Sequence, residues 1–221
     1  MFKFIKRRAF KKDFERAAAD GVLTADESRQ LEEHGVDQDY ANKVRIDHFL
    51  KQTAALRKRV IETRRMSPAE EDELRAIADG LKIDPQFGDD FVMARELWAN
   101  DNGENVNFDT METTFPLDEG ETCYFQRPST WKRRLDGRVK TKATGHLAIT
   151  NLRLIHTGEE EGPLSVALDR IVETEPFKDG IEVTKTNGRK EFFQMDAVSC
   201  EYAMMLLGEL LRMRDGQEAA Q

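Results

Sequence analysis

The residues best placed to do chemistry form a basic stretch in an acidic chain. Between Arg127 and Lys142 there are seven cations and one acid, whereas the whole 221-residue chain has a net charge of -8. Cations grouped in this way favour the binding of an anionic surface or ligand. The candidate anion-binding or lipid-binding residues are Trp131, Lys132, Arg133, Arg134, Arg138, Lys140 and Lys142.

A β-hairpin is the element that would position these cations. Asp136-Gly137 is typical of a two-residue hairpin turn, in which both residues need a positive φ. Such a turn sets Leu135 opposite Arg138, Arg133 opposite Lys140, and Trp131 opposite Lys142. Like charges opposite each other cost about 0.2–1 kcal/mol per pair, and a bound anion would offset that cost. The alternative interpretation is an edge hairpin that its lysines and arginines keep from aggregating.

A second basic segment opens the chain, and it supports two interpretations. As a helix it groups aromatic residues on a stripe flanked by cations, which is typical of an interfacial anchor. The alternative is a helix that packs Phe10 and Phe14 on a helical core. The candidate residues for membrane or partner contact are Phe2, Phe4, Ile5, Lys6, Arg7 and Arg8.

The sequence contains no recognisable catalytic or metal-binding motif. Cys123 and Cys200 lie far apart without CxxC spacing, and the four histidines show no metal-ligand spacing. The sequence has no glycine-rich phosphate loop and no nucleophile elbow. We therefore expect no enzyme activity, no metal and no cofactor. Nucleic acid is a disfavoured partner because the chain is acidic.

Apolar residues recur at helical spacing over residues 1–98, which predicts an α-helical domain. Capping boxes begin helices at Thr24 and Ser67, and another helix start is expected at Asp84-Pro85. Apolar spacing predicts one helix of about 27 residues from near Asp37. An acidic linker is expected over residues 99–114.

Short β-branched and aromatic runs after the linker predict an antiparallel meander. Turn dipeptides at Asp179-Gly180 and Asn187-Gly188 separate the runs. Helical spacing returns from about Asp196 to Arg214. The expected fold class is α+β, with an antiparallel barrel over 115–215 that a C-terminal helix caps, and a disordered tail over 216–221.

The run GHLAITNLRLIHTG, followed by SVALDRIVETEPFKDGIEVTKTNGRKEFFQM, resembles bacterial pleckstrin-homology-like and GRAM-like domains. The resemblance covers residues 115–214 and implies their barrel with its capping helix. It also implies binding of inositol phosphate headgroups through Lys132, Lys140 and Lys142, although a lysine replaces the family's usual terminal arginine. The segment DGVLTADE, residues 20–27, is faintly similar to TerB-like helical modules.

Together these features predict a non-catalytic, cytoplasmic adaptor, peripheral to the inner face of the membrane, and the resemblance implies a bacterial origin. No run of apolar residues is long enough to span a bilayer. The pleckstrin-homology-like domain is expected to dock on anionic lipid headgroups. The alternative is a protein–protein scaffold that binds an acidic partner through its barrel and helical domains. The oligomeric state stays open.

Overall fold

A computed structural model describes residues 2–84, 88–104, 106, 108–135, 138–158 and 162–218. The chain divides into two compact units, Met1–Ala99 and Asn100–Gln221. The helices of the described residues are α1 (Phe2–Ala17), α2 (Ala25–Glu32), α3 (Gln38–Gln52), α4 (Ala54–Thr63), α5 (Pro68–Gly80), α6 (Asp89–Asp101) and α7 (Ala197–Glu218). The strands are β1 (Cys123–Leu135), β2 (Arg138–Thr150), β3 (Arg153–Gly158), β4 (Leu164–Ala167), β5 (Ile171–Phe177), β6 (Gly180–Lys185) and β7 (Lys190–Gln194).

The first unit is a helical bundle whose core receives α1. Phe10 and Phe14 on α1 are buried, and their rings lie 6.2 Å apart. Leu31 of α2 and Leu74 of α5 belong to the same core cluster. Phe10 and Phe14 therefore pack inside the bundle, as the core-helix interpretation expected.

Local signals set most helix starts of this unit. The capping boxes at Thr24 and Ser67 are both present, with each hydroxyl accepting from the third helical N–H. The single long helix predicted from Asp37 is wrong, because α3 and α4 meet at Thr53. The hydroxyl of Thr53 donates to the Phe49 carbonyl at 2.7 Å, and such a bond to the preceding turn favours a bend. The start expected at Asp84-Pro85 falls partly outside the described residues, and α6 begins at Asp89.

The second unit is a seven-stranded antiparallel sheet with one helix. The strand order is β4-β3-β2-β1-β7-β6-β5, so β4 and β5 are the edges. The rings of Phe125 on β1 and Tyr202 on α7 stack with centroids 6.0 Å apart, which places α7 on the inner face of the sheet. The helix extends to Glu218, into the segment expected to be a disordered tail.

The expected closed barrel is not formed. β4 has only four residues, and a short 3₁₀ turn separates it from β5. At this gap the Arg214 guanidinium of α7 donates to the carbonyls of Leu168 and Ile171, at 2.6 and 3.2 Å. The side chain of Arg214 therefore ties α7 to the turn between β4 and β5.

Candidate anion-binding surface

The β1–β2 hairpin has most of the predicted register. Leu135 lies opposite Arg138 and Arg133 opposite Lys140, as predicted. Trp131, however, lies opposite Ala143 and not Lys142, because a bulge shifts the register between Trp131 and Lys132. The extra residue of a bulge is left out of the strand pairing. Lys142 therefore lies in an irregular part of β2.

Trp131 and Arg133 face inward and bind a buried carboxylate. Glu191 of β7 is fully buried and accepts from the Trp131 indole N–H at 2.9 Å. Arg133 donates to both Glu191 oxygens through Nε and Nη2, at 2.8 and 2.7 Å. Lys185 Nζ adds a fourth bond at 2.8 Å. This cluster ties β1, β6 and β7 together, so these two candidate residues have structural partners.

The protonation state of Glu191 follows from these contacts. Burial alone acts to raise its pKa, but hydrogen bonds from Arg133, Lys185 and Trp131 outweigh burial and lower it. The carboxylate therefore stays ionised at neutral pH. It therefore balances part of the positive charge of Arg133 and Lys185.

The remaining predicted cations differ in their exposure to solvent and in the face of the sheet on which they lie. Lys132 is half-buried on the outer face, opposite Phe192 of β7. Lys140 is exposed, and Lys142 is half-buried. Arg134 and Arg138 lie in β1 and β2, but their side chains are outside the described residues. Lys132 thus lies on the outer face, and Lys140, opposite Arg133, lies on the other face of the hairpin. Trp131 and Arg133 bind Glu191, although Arg133 also borders the groove described below.

The hairpin extends beyond the strands that flank it. β7 pairs with β1 over Thr130–Arg133, and β3 pairs with β2 over Gly145–Ile149. Among the described strands, none pairs with the outer edge of residues 138–144 of β2. Val139 within this stretch is 60% exposed and shares the outer face with Lys132. An exposed apolar side chain among cations is typical of a surface that enters a membrane interface.

A groove of about 460 Å³ lies on the outer face, beside the hairpin. Lys132 and Val139 contribute to one wall, and Glu175 and Glu182 contribute to the other. The floor includes Phe192, whose ring makes an edge contact with Phe177 at 5.6 Å. The groove therefore has opposite charges on its two sides.

The acidic side of the groove surrounds a single lysine. Lys190 Nζ donates to Glu182 at 2.6 Å. This bond, and then the charges of Glu182, Glu175 and Glu173, raise the pKa of Lys190. Three carboxylates around one ammonium leave this side of the sheet negative.

A second buried carboxylate, Glu121, joins the segment before β1 to the β2–β3 turn. It accepts from Arg153 at 2.8 and 2.7 Å and from the Thr150 hydroxyl at 2.7 Å. Burial acts to raise the pKa of Glu121, but these bonds and one from the Asp118 N–H lower it to about 2. Sequence reasoning missed both Glu121 and Glu191. For Glu191 a signal existed, since it alternates with Phe193 along an inward-facing strand.

The candidate contact residues of α1 are mostly exposed. Phe4 is 73% and Ile5 59% exposed, and Lys6 and Arg8 also face solvent. Arg7 instead binds Asp37 at 2.7 Å and stacks over the Tyr40 ring at 4.6 Å. The hydrogen bond from Arg7 is the main cause that lowers the pKa of Asp37 to about 2. The side chain of Phe2 lies outside the described residues.

The described part of the chain contains no group of three or more histidine, cysteine, aspartate or glutamate side chains arranged to hold a metal ion. None of its helices combines the length and the apolar character that crossing a bilayer requires.

Comparison with known proteins yields a weak structural likeness. No protein-family model and no curated protein matches this chain. A solved structure, the C-terminal domain of an unknown protein from Leishmania infantum, is similar at 19% identity with a TM-score of 0.35. The similarity covers 42% of this chain and 87% of that one.

Proposed function

We propose that this protein is a non-catalytic adaptor whose C-terminal unit docks on anionic membrane lipid headgroups. The contact is the projecting end of the β1–β2 hairpin. One observation carries the proposal: Val139 is exposed and lines the same outer groove as Lys132, on a stretch of β2 that no described strand flanks. The resemblance to pleckstrin-homology-like and GRAM-like domains points to the same hairpin.

The expected free energy of binding to the membrane is modest and depends on salt. Each lysine or arginine near an anionic leaflet contributes about 1 kcal/mol, and the attraction falls off within a Debye length. Lys132 and Lys140 supply charge at the hairpin, and Val139 adds apolar burial. Trp131 and Arg133 belong to the fold in this proposal, because Glu191 already binds both.

The N-terminal helix offers a second contact of the same kind. Phe4 and Ile5 are exposed beside Lys6 and Arg8, while Phe10 and Phe14 of α1 are buried. Two weak membrane contacts on one chain bind more firmly than either alone. We therefore assign Phe4 and Ile5 an auxiliary role.

Vesicle flotation tests the proposal. Wild-type protein should float with phosphatidylcholine vesicles that contain phosphatidylserine, and should not float with pure phosphatidylcholine. Added salt should weaken the binding. The double variant Lys132→Glu plus Lys140→Glu should lose flotation, and Val139→Gln should reduce it without a change of charge.

A matched control distinguishes an effect of the hairpin residues from an effect of the change in net charge. Lys178→Glu plus Arg212→Glu alters two exposed cations of the same unit by the same charge, one on the β5–β6 turn and one on α7. This control should float nearly as well as wild type. Equal loss in both double variants, or no flotation of the wild type, would refute lipid docking by the hairpin.

A protein partner is the second candidate, and the opposed charges of the groove favour it. A peptide bound between Lys132 and Glu175 can place opposite charges against both walls while it covers the Phe192 ring. A protein that copurifies with the wild type, and is lost in the Lys132→Glu plus Lys140→Glu variant, would support this scaffold function if the wild type does not float.

A further inference from the structure

Two strand edges of the C-terminal unit that no described strand flanks carry opposite charges. β2 has Lys140-Thr141-Lys142 in the stretch that no described strand flanks. β5, an edge of the sheet, has Glu173-Thr174-Glu175. A bulge takes Lys142 out of the regular ladder, so Lys140 is the lysine that can lie directly opposite Glu173 or Glu175 in an added strand.

From this juxtaposition we propose that the edge of β2 in one copy pairs with the edge of β5 in a second copy of the chain. An unpaired edge exposes a row of N–H and C=O groups that can accept another strand. Opposite charges directly across a pair of strands stabilise it, and like charges destabilise it. The pattern therefore favours β2 with β5, and disfavours either edge with itself.

Exposure of the edge residues supports the same pairing. Lys140, Glu173 and Glu175 are all exposed. Val139 and Val172, which precede the two tripeptides, are 60% and 61% exposed. An added strand would cover these valines together with the charged pairs.

The local geometry limits where the strands can meet. Bulges interrupt β2 near Lys142 and β5 between Ile171 and Glu173. The regular stretches that remain are residues 138–141 and 173–177, and Pro176 lacks an N–H to donate. The contact is therefore short, and we expect weak, reversible association.

This contact joins different surfaces of the two copies, so a third copy can add in the same way. Sedimentation velocity of the full chain without lipid should show a weight-average mass that rises with concentration. Because charge pairs at a surface are screened, added salt should reduce the rise.

Charge reversal with complementation tests the pairing. Lys140→Glu plus Lys142→Glu makes both edges acidic, and Glu173→Lys plus Glu175→Lys makes both edges basic. Each variant alone should associate at least about tenfold more weakly than wild type, because like charges then face each other. An equimolar mixture of the two folded variants should associate again. Thermal melting confirms that each variant is folded.

A control variant shows whether a loss of association depends on where the charges are changed. Glu112→Lys plus Glu119→Lys makes the same charge change at two exposed residues of the C-terminal unit outside the strands, and should associate as wild type does. A wild type that stays monomeric at every concentration, or a mixture of the two edge variants that stays monomeric, would overturn the proposal. So would edge variants that associate as the wild type does.

The inference does not depend on lipid docking, and the two can fail separately. Glu173→Lys plus Glu175→Lys leaves the hairpin intact, so this variant should keep its flotation with phosphatidylserine vesicles while it loses self-association. A wild type that associates but does not float would contradict the proposed function alone. A wild type that floats but never associates would contradict the edge pairing alone.

Discussion

The buried carboxylate of Glu191 gives the strongest test of how the C-terminal unit is held together. Glutamine at this position keeps the shape but removes the charge and brings an NH₂ group toward donors. Arg133 and Lys185 then lose their counter-charge while their side chains are only 24% and 15% exposed. Breaking a buried ion pair on one side costs about 3–5 kcal/mol. Since both cations keep some access to water, we expect Glu191→Gln to lower the free energy of unfolding by about 2–4 kcal/mol.

Urea unfolding followed by tryptophan fluorescence measures this loss. Trp131 donates to Glu191, and a Trp98→Phe background leaves Trp131 as the single reporter of the C-terminal unit. If the free energy of unfolding falls with urea concentration at the same slope in both proteins, the difference between their urea midpoints gives the change in stability. A different slope would instead indicate a change in the unfolded or the native state.

Glu182→Gln is the matched control. It removes a carboxylate from the neighbouring strand β6, where the pair with Lys190 is partly exposed. Pairs of this kind contribute about 0.2–1 kcal/mol, so the control should change stability little. A loss below about 1 kcal/mol for Glu191→Gln, or one no larger than that of the control, would refute the inference that Glu191 ties the sheet together.

Three further changes have expected outcomes. Phe14→Ala should destabilise the helical unit by about 3–5 kcal/mol because it leaves a cavity in the core, which thermal unfolding of that unit measures. Thr24→Ala and Ser67→Ala should each cost about 1 kcal/mol by loss of a cap, read in the same way, and a change near zero would contradict the capping geometry. Acid titration should lower the stability of the C-terminal unit in two ranges. Burial lowers the pKa of His156, so its stabilisation is lost as the pH falls below 6.5, and Glu121 loses its contribution between pH 4.5 and about 2. His156→Phe should remove the first decline and keep the second.

The features that sequence predicted well are local ones. A capping box needs four consecutive residues, so Thr24 and Ser67 could be identified without knowledge of the fold. The pairing of Arg133 with Lys140 follows from the length of one turn. The α+β class and the C-terminal helix follow from the change of apolar spacing along the chain.

The features that sequence missed depend on distant contacts. Glu191 meets Arg133 across 58 positions, and no local pattern joins them. The bulge at Lys142 sets Trp131 opposite Ala143, which the assumption of a regular ladder could not anticipate. Arg214 of α7 donates to carbonyls between β4 and β5, 46 and 43 positions away. Contacts of this kind depend on the whole fold and leave no local pattern in the sequence.

Amide hydrogen exchange with and without phosphatidylserine vesicles tests hairpin docking most directly. Exchange at residues 138–144 should slow when the vesicles are present, because that edge of β2 has no described neighbouring strand to protect it. The protection should disappear in the Lys132→Glu plus Lys140→Glu variant. Unchanged exchange over 138–144, in protein that does float with the vesicles, would contradict docking through the hairpin.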